Sequence, residues 1–158
     1  MIVDDDALAE QLSQELTTTG QNLDPFDAWL LLRSLKTLNV RMHAHTANAR
    51  FVAEHLRTLP SIDRVLYAGV GGMISFYLND AYDVDQFLQG LQVCSFAESL
   101  GSVETLITVP AIQTHHDKPE AQRLALGITD KLIRVSVGLE AQEDITAALE
   151  QAINGAKA

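Results

Sequence analysis

The stretch KLIRVSVGLE, at residues 131–140, decides how this chain is expected to fold. Alternating apolar residues in a short run that ends at Gly138 are typical of a β-strand with one buried face. A period of two residues puts three side chains on that face: Ile133, Val135 and Val137. Arg134 then lies on the opposite face, together with Leu132 and Ser136. Because a guanidinium group is never neutral, Arg134 needs either water or a negatively charged partner there.

The residues alone leave two uses of Arg134 open. The planar guanidinium fork fits a carboxylate with two parallel hydrogen bonds, so Arg134 could hold a carboxylate substrate. It could equally lie on a solvated face or pair with a nearby acid such as Glu140, and spacing alone favours this structural role.

The segments around this strand alternate between strand and helix patterns. Further strands are predicted at 62–68, 72–78, 93–96 and 105–109, and helices at 80–91, 119–126 and 143–153. This order predicts an α+β fold, with a small, mostly antiparallel sheet that has helices on one face.

The N-terminal third of the chain is expected to be helical. Leucines every four residues predict a helix at 4–16. A second helix is well marked at its start, with Asp24 as the N-cap and Pro25 at the first helical position. Its pattern continues to residue 59 with a bend near Asn39, and Pro60 stops it. No repeat or obvious linker is present, so a single domain over 1–158 is expected.

Composition excludes some classes of partner. The chain has 158 residues, 47% of them hydrophobic, and a formal net charge of −10. That charge argues against binding a nucleic-acid backbone or an anionic membrane surface. The single cysteine, Cys94, cannot form an internal disulfide and, with no signal-peptide pattern or apolar span, predicts a cytoplasmic protein.

Two loops contain polar residues that are candidates for a site. The loop at 96–104 contains Glu98, Ser99 and Ser102 around Gly101, although such hydroxyls often only bond turn backbone. The sequence THHD at 114–117 is far better explained as a polar loop than as a metal site, because adjacent histidines do not share a face and further ligands would be needed. Cys94 is expected to be an inert buried thiol.

Five motifs in order resemble the C-terminal part of the Cys/Met-metabolism family of pyridoxal-phosphate (PLP) enzymes, the cystathionine γ-synthases, γ-lyases and their relatives. The motifs are PFDAWLLLRSLKTL at 25–38, RMHAHTANA at 41–49, GGMISFYL at 71–78, FAESLGSVETLI at 96–107 and GITDKLIRVSVGLEAQEDI at 127–145. Together they span nearly the whole chain. The resemblance implies the C-terminal domain of a fold-type I PLP transferase.

The resemblance also implies roles for four residues, all in substrate binding. Arg134 matches the arginine that binds the α-carboxylate of the amino-acid substrate. Ser99 matches the serine of the SLG motif, beside the active-site lysine and the substrate carboxylate. Glu98 is the acidic residue typical of the γ-synthase and γ-lyase branch, and Thr114 matches the threonine of an MTH stretch. No catalytic, cofactor-binding or metal-binding residue is implied in this chain.

The sequence also departs from the family pattern. The lysine that carries PLP lies upstream of anything present, and none of the four lysines (Lys36, Lys118, Lys131 and Lys157) sits in its motif. No covalently bound PLP is therefore expected, and whether the chain alone is an enzyme stays open. A His/Pro-containing segment of relatives is missing between residues 69 and 71, and Ser102 replaces the second glycine of SLGG.

The expected organisation follows from this match. Residues 1–23 would connect to the missing PLP-binding domain, 24–59 would form a long linking helix, and 60–158 an α/β subdomain. The chain would contribute the substrate-carboxylate site of a trans-sulfuration enzyme acting on sulfur amino acids, and would be inactive alone. The alternative is a non-catalytic assembly or regulatory module, or a gene remnant. A homo-oligomer is expected in either case.

Overall fold

A computed structural model describes residues 3–98 and 100–157. The helices are α1 (Asp6–Thr19), α2 (Pro25–Leu35), α3 (Leu38–Leu56), α4 (Val84–Gln89), α5 (Glu120–Ala125) and α6 (Gln142–Gly155). The strands are β1 (Ile62–Tyr67), β2 (Met73–Leu78), β3 (Ser95–Phe96), β4 (Leu106–Thr108) and β5 (Leu132–Ser136). The chain forms two compact units that divide between Asn39 and Val40. In the described ranges, no helix combines the length and apolar character needed to cross a membrane.

The first unit contains α1 and α2, and α2 begins at the predicted cap. The Asp24 side chain accepts a hydrogen bond from the backbone N–H of Phe26, and Pro25 opens α2. The helical pattern predicted over 24–59 with a bend near Asn39 is interrupted slightly earlier, because α2 ends at Leu35 and α3 begins at Leu38. At the break, both the backbone N–H and the hydroxyl of Thr37 donate to the carbonyl of Ser34. Such bonds compete with the regular helical ladder.

The second unit is built on a five-stranded sheet in the order β1-β2-β5-β4-β3. All neighbouring strands are antiparallel except β3 and β4, which are parallel. The fold class predicted from the sequence, an α+β domain with a mostly antiparallel sheet, is therefore confirmed. The KLIRVSVGLE strand is β5, near the middle of the sheet, where it pairs with β2 on one side and β4 on the other.

The core of the second unit lies between one face of this sheet and helices α3, α4 and α6. The predicted alternation places Ile133 and Val135 on that face, where both are fully buried. Phe76 of β2 meets Phe87 of α4 edge to face, with ring centroids 6.2 Å apart. The other fully buried helical side chains include Val52, Leu56, Ile145 and Leu149. The opposite face of the sheet is more polar, and it contains Arg134 between Ser75 and Thr108.

Two predicted elements are shorter in the structure. Helix α4 begins at Val84 rather than near residue 80, because the Asp83 side chain caps it by accepting from the Gln86 N–H at 2.8 Å. The strand predicted at 93–96 contains only two paired residues, Ser95 and Phe96, which meet β4. Edge strands of this length are common where a loop departs from the sheet.

Candidate functional site

Arg134 lies on the face of the sheet that is opposite the core. Its pairing partners are Ser75 on β2 and Thr108 on β4, and residues paired across neighbouring strands share a face. Both neighbours offer hydroxyl groups, which cannot neutralise a guanidinium. The Nε atom of Arg134 is buried, and in residues 3–98 and 100–157 it has no hydrogen-bond partner. A buried donor of this kind is a site where a ligand acceptor would be stabilised.

Glu140, the local acid that could have paired with Arg134, is engaged elsewhere. One of its carboxylate oxygens accepts from the backbone N–H of Thr105 at 2.6 Å, and the other accepts from the Thr105 hydroxyl at 2.8 Å. The Thr105 hydroxyl in turn accepts from the N–H of Gly138 at 2.9 Å. Glu140 therefore stabilises the exit of β5, and the structural pairing with Arg134 is not made.

Arg134 opens onto a cavity of about 500 Å³. The polar and charged residues that line it are Arg57, Arg64, Tyr67, Ser75 and Arg134 itself. Its apolar lining includes Leu66 and Met73, from β1 and β2. No carboxylate is among the described residues that line this cavity. Sequence reasoning did not find Arg57 or Arg64, because their place beside Arg134 depends on how distant segments pair.

The loop at 96–104 is tied to β4, which neighbours Arg134, and to β5, the strand that contains Arg134. On one side, the Thr108 hydroxyl donates to the carbonyl of Ala97 at 3.0 Å. On the other, the N–H of Gly101 donates to the Ser136 hydroxyl at 3.0 Å, and Gly101 has a φ of 117°, a region that favours glycine. Both anchoring hydroxyls lie on the same sheet face as Arg134. The loop is therefore held at two points, Ala97 and Gly101, by hydroxyls on the sheet face of Arg134.

The other predicted site residues are Ser99, Glu98 and Thr114. Ser99 lies outside the described residues. Glu98 follows the anchored Ala97 and is exposed. Thr114 is half-buried, and its hydroxyl makes a 2.8 Å hydrogen bond with Nδ1 of His115. Neither Glu98 nor Thr114 lines the Arg134 cavity. Within the described ranges, no group of His, Cys, Asp and Glu side chains is placed to hold a metal ion.

Helix α3 fixes the end of β5 through two polar side chains. His45 is buried, and its Nδ1 lies 2.7 Å from the carbonyl of Val137. Since a carbonyl can only accept, that nitrogen carries the proton. Asn48 donates to the carbonyls of Gly138 and Glu140 at 3.1 and 2.9 Å. Sequence reasoning passed over both residues, although they stand three apart beside the buried stripe of α3, a spacing that marks one helix face.

The lysine amines and the Cys94 thiol are not part of the Arg134 cavity. Lys131 donates through Nζ to the carbonyl of Tyr82, and none of the four lysines lines the Arg134 cavity. Cys94 is buried, and burial, with a smaller effect from the Glu140 charge, raises the pKa of its thiol to about 12. A thiol with so high a pKa is a poor nucleophile near neutral pH.

The fold and the open, arginine-bearing sheet face place the chain among proteins built like cystathionine lyases. Cystathionine γ-lyase from Lactobacillus plantarum, solved in complex with L-serine, matches with a TM-score of 0.89 and 37% sequence identity. The match covers 98% of this chain and 45% of that chain. The chain belongs to the family of Cys/Met metabolism PLP-dependent enzymes, whose sequence profile matches residues 1–154.

Two bacterial relatives are more similar to this chain in sequence than the L. plantarum γ-lyase is. Cystathionine γ-synthase of Haemophilus influenzae is 47% identical over 150 residues, which are 95% of this chain and 41% of that protein. Cystathionine γ-lyase of Bacillus subtilis is 44% identical over 162 residues, covering 92% of this chain and 43% of that protein. The chain thus spans about two fifths of the length of these relatives.

The two alignments differ in their gaps. The γ-synthase alignment of 150 residues equals the stretch of this chain that it covers, so it leaves no room for an insertion. The γ-lyase alignment of 162 residues covers 92% of the 158-residue chain, about 145 residues, so about 17 of its positions have no counterpart here. Compared with this γ-lyase, the chain therefore lacks about the length of the segment that was expected to be missing. Compared with the γ-synthase, it lacks no such length.

Proposed function

We propose that this chain provides the substrate-carboxylate half of a PLP-dependent enzyme that acts on sulfur amino acids, of the cystathionine γ-synthase type. Arg134 binds the α-carboxylate of the amino acid and so orients the substrate. The loop at 96–104, held by Thr108 and Ser136, forms the neighbouring wall of the site. The chemical step depends on PLP, which acts as an electron sink when bound.

The observation that carries the proposal is the unsatisfied Nε of Arg134. A buried donor without a partner costs about 1–3 kcal/mol, and a ligand acceptor at Arg134 would remove that cost. Glu140, the acid that the sequence suggested as a structural partner of Arg134, is already bonded by Thr105. The L-serine bound to the L. plantarum γ-lyase is an amino acid with one α-carboxylate, the group that Arg134 is proposed to hold.

One observation favours the γ-synthase type over the γ-lyase type. The H. influenzae γ-synthase aligns without an insertion, whereas the B. subtilis γ-lyase has about 17 additional positions. A difference of that length is about one short helix with its connections, and it would change the shape of the domain where it occurs. Glu98 is consistent with both types, and therefore only excludes the β-lyase pattern from the proposal.

The surroundings of Lys131 do not fit PLP. Lys131 is bonded to Tyr82 and lines a separate, acidic cavity with Asp83, Asp85 and Asp130, which would repel a phosphate. The arginine cavity contains no amine. We therefore propose that the groups holding PLP are supplied by the part of the family fold that the chain does not span.

The proposal is tested with a chimera in which this chain replaces the matching part of the H. influenzae γ-synthase. We expect the chimera to bind PLP and to form cystathionine from an acylated homoserine and cysteine. Arg134→Gln should raise the KM for the homoserine ester at least tenfold and leave the PLP absorption unchanged, because the arginine contacts the carboxylate rather than the cofactor.

Two controls make this experiment decisive. Lys118→Gln removes the same charge from an exposed position and should leave KM unchanged. The isolated chain with PLP should show no cystathionine formation or cleavage. Activity of the isolated chain, or an Arg134→Gln chimera with an unchanged KM, would show that the proposal is wrong.

One observation favours a second function, that of an assembly module. Helix α2 exposes large apolar side chains over most of its surface: Phe26, Trp29, Leu30, Leu31, Leu32 and Leu35. Exposed apolar patches of this kind mark association surfaces. The expected homo-oligomer would use such a surface.

A further inference from the structure

The β5 turn, residues 138–140, is bonded to Thr105, which directly follows the loop at 96–104. The carboxylate of Glu140 accepts from the Thr105 backbone N–H at 2.6 Å and from its hydroxyl at 2.8 Å. The same hydroxyl accepts from the N–H of Gly138 at 2.9 Å, so one hydroxyl joins both ends of the turn. Because Thr105 is fully buried, water does not readily replace these bonds when the hydroxyl is removed.

The β5 turn and the loop are also in close backbone contact. The N–H of Leu139 donates to the carbonyl of Val103 at 2.7 Å. A Cβ atom at Gly138 would overlap this carbonyl and the Glu140 carboxylate. The two segments are therefore closely packed, and a shift of one requires a shift of the other.

Helix α3 holds the β5 turn as well. Asn48 donates to the carbonyls of Gly138 and Glu140 at 3.1 and 2.9 Å. Since the turn is fixed to both α3 and β5, it provides a rigid support to which the loop is bonded. Arg134 lies on β5 shortly before the turn, so the same strand carries the arginine and, through its turn, holds the loop.

The loop has anchors near its start and at its end. Ala97 and Gly101 are held by hydroxyls of β4 and β5, whereas Val103 and Thr105 are held by the β5 turn. The stretch 98–100, between the first two anchors, contains two of the predicted substrate-binding residues. The position of this stretch relative to β5 therefore depends on the end of the loop as well as on its start.

We propose that Thr105 and Glu140 are positioning residues for the binding of an amino-acid carboxylate at Arg134. Neither residue lines the Arg134 cavity, so both act through the loop rather than by touching the ligand. Their hydrogen bonds hold the loop against β5, where it forms the neighbouring wall of the site. The inference rests on the proposed function, because it takes Arg134 as the group that binds the carboxylate.

The test measures how tightly the full chain binds L-2-aminobutyrate, an amino acid with one carboxylate. Thr105→Val keeps the shape of the side chain but removes the hydroxyl that joins Glu140 to Gly138. In calorimetry, this variant should have a dissociation constant about fivefold higher or more than the unmodified chain, because a displaced wall weakens the contacts that orient the ligand. Thr105→Ser retains the hydroxyl and should restore an affinity within about twofold of the unmodified chain.

A matched control and a milder variant accompany this comparison. Thr129→Val removes a buried hydroxyl that has no hydrogen-bond partner in residues 3–98 and 100–157, and it should leave the dissociation constant unchanged. Glu140→Gln keeps the length of the side chain but loses an acceptor, so it should weaken binding less than Thr105→Val does. If Thr105→Val does not fold, Glu140→Gln decides the test. Urea unfolding gives the folded fraction of each variant, and affinities are compared per folded molecule, so a loss of stability alone does not change them.

The outcomes separate this inference from the proposed function. If Arg134→Gln loses affinity while Thr105→Val and Glu140→Gln bind like the unmodified chain, the positioning role is wrong and the carboxylate role of Arg134 stands. A Thr105→Ser variant that binds as weakly as Thr105→Val also overturns the positioning role. If Arg134→Gln binds as tightly as the unmodified chain, or the unmodified chain does not bind the ligand, both the inference and the proposed function are wrong.

Discussion

Arg134 has hydroxyl neighbours on both sides, Ser75 and Thr108, and neither can balance its charge. Its Nε is buried without a described partner, a cost that ligand binding would remove. At the residue scale, the sequence predicts the face on which Arg134 lies, because period two determines it. It does not predict that Glu140 is unavailable, since the bonds from Thr105 join residues 35 positions apart.

Cys94 gives a prediction at the same scale. Its pKa is raised from 9.0 to about 12 in the folded chain, mainly by burial. The unfolded chain therefore releases this proton near pH 9, whereas the folded chain retains it until about pH 12. Above pH 9, ionisation of the thiol stabilises the unfolded state relative to the folded state, so the free energy of unfolding falls as pH rises from about 9 to about 12.

The measurement is urea unfolding at pH 8 and pH 10 for the unmodified chain and for Cys94→Ala. The loss of stability between the two pH values should be about 1 kcal/mol larger in the unmodified chain, because the variant lacks the thiol. Comparing each protein with itself cancels the cost of removing the buried side chain. Equal losses in both proteins would show that the thiol pKa is not raised.

At the element scale, the end of β5 is the most tightly held part of the described site. Helix α3 bonds to the carbonyls of Val137, Gly138 and Glu140 through His45 and Asn48. The N–H of Val137 donates to the carbonyl of Gly72, which continues the pairing of β5 with the segment before β2. These contacts fix the strand that carries Arg134.

Gly138 tests how tightly this end is packed. A Cβ atom at Gly138 would overlap the Glu140 carboxylate and the backbone at Val103 and Glu104. Gly138→Ala should therefore lower the free energy of unfolding by about 2 kcal/mol or more, since backbone cannot move aside cheaply. Gly155→Ala is the matched control, because nothing lies within 4 Å of a Cβ there. Urea unfolding should show little or no loss for Gly155→Ala, and similar losses in both variants would contradict the packing.

Helix and strand identities were largely predictable from the sequence, because hydrophobic period and caps are local signals. Asp24 and Pro25 begin α2 as predicted. The break at Thr37 was not predicted at its place, since it depends on a side chain bonding back to Ser34 rather than on a glycine or proline.

At the scale of the whole molecule, five motifs in a fixed order predict the family, and the family is confirmed. The arginine cavity could not be predicted in this way. It forms because β1 pairs with β2 and β2 with β5, which brings Arg64 and Arg134 together from positions 70 residues apart. Such long-range register is not encoded in any single segment. That the chain forms a single domain and that the protein is cytoplasmic both stay predictions.

Helix α2 predicts self-association. Six large apolar side chains of one short helix are exposed, among them Trp29 and Leu32. Sedimentation velocity should show the average mass rising with concentration, because association removes this surface from water. The double variant Trp29→Ser with Leu32→Ser should remain monomeric over the same range, whereas Leu124→Ser, at an exposed apolar position on α5, should behave like the unmodified chain. A monomer at millimolar concentration would contradict the proposed homo-oligomer.

The central claim is that Arg134 binds an amino-acid carboxylate, and its Nε–H group reports this directly. In ¹⁵N NMR of the full chain, titration with L-2-aminobutyrate should shift the Nε–H resonance of Arg134 and slow its exchange with water, because the buried donor gains an acceptor. The amide of the same amino acid lacks the carboxylate and should cause no such change. A shift of equal size with both ligands, or with neither, would contradict the account.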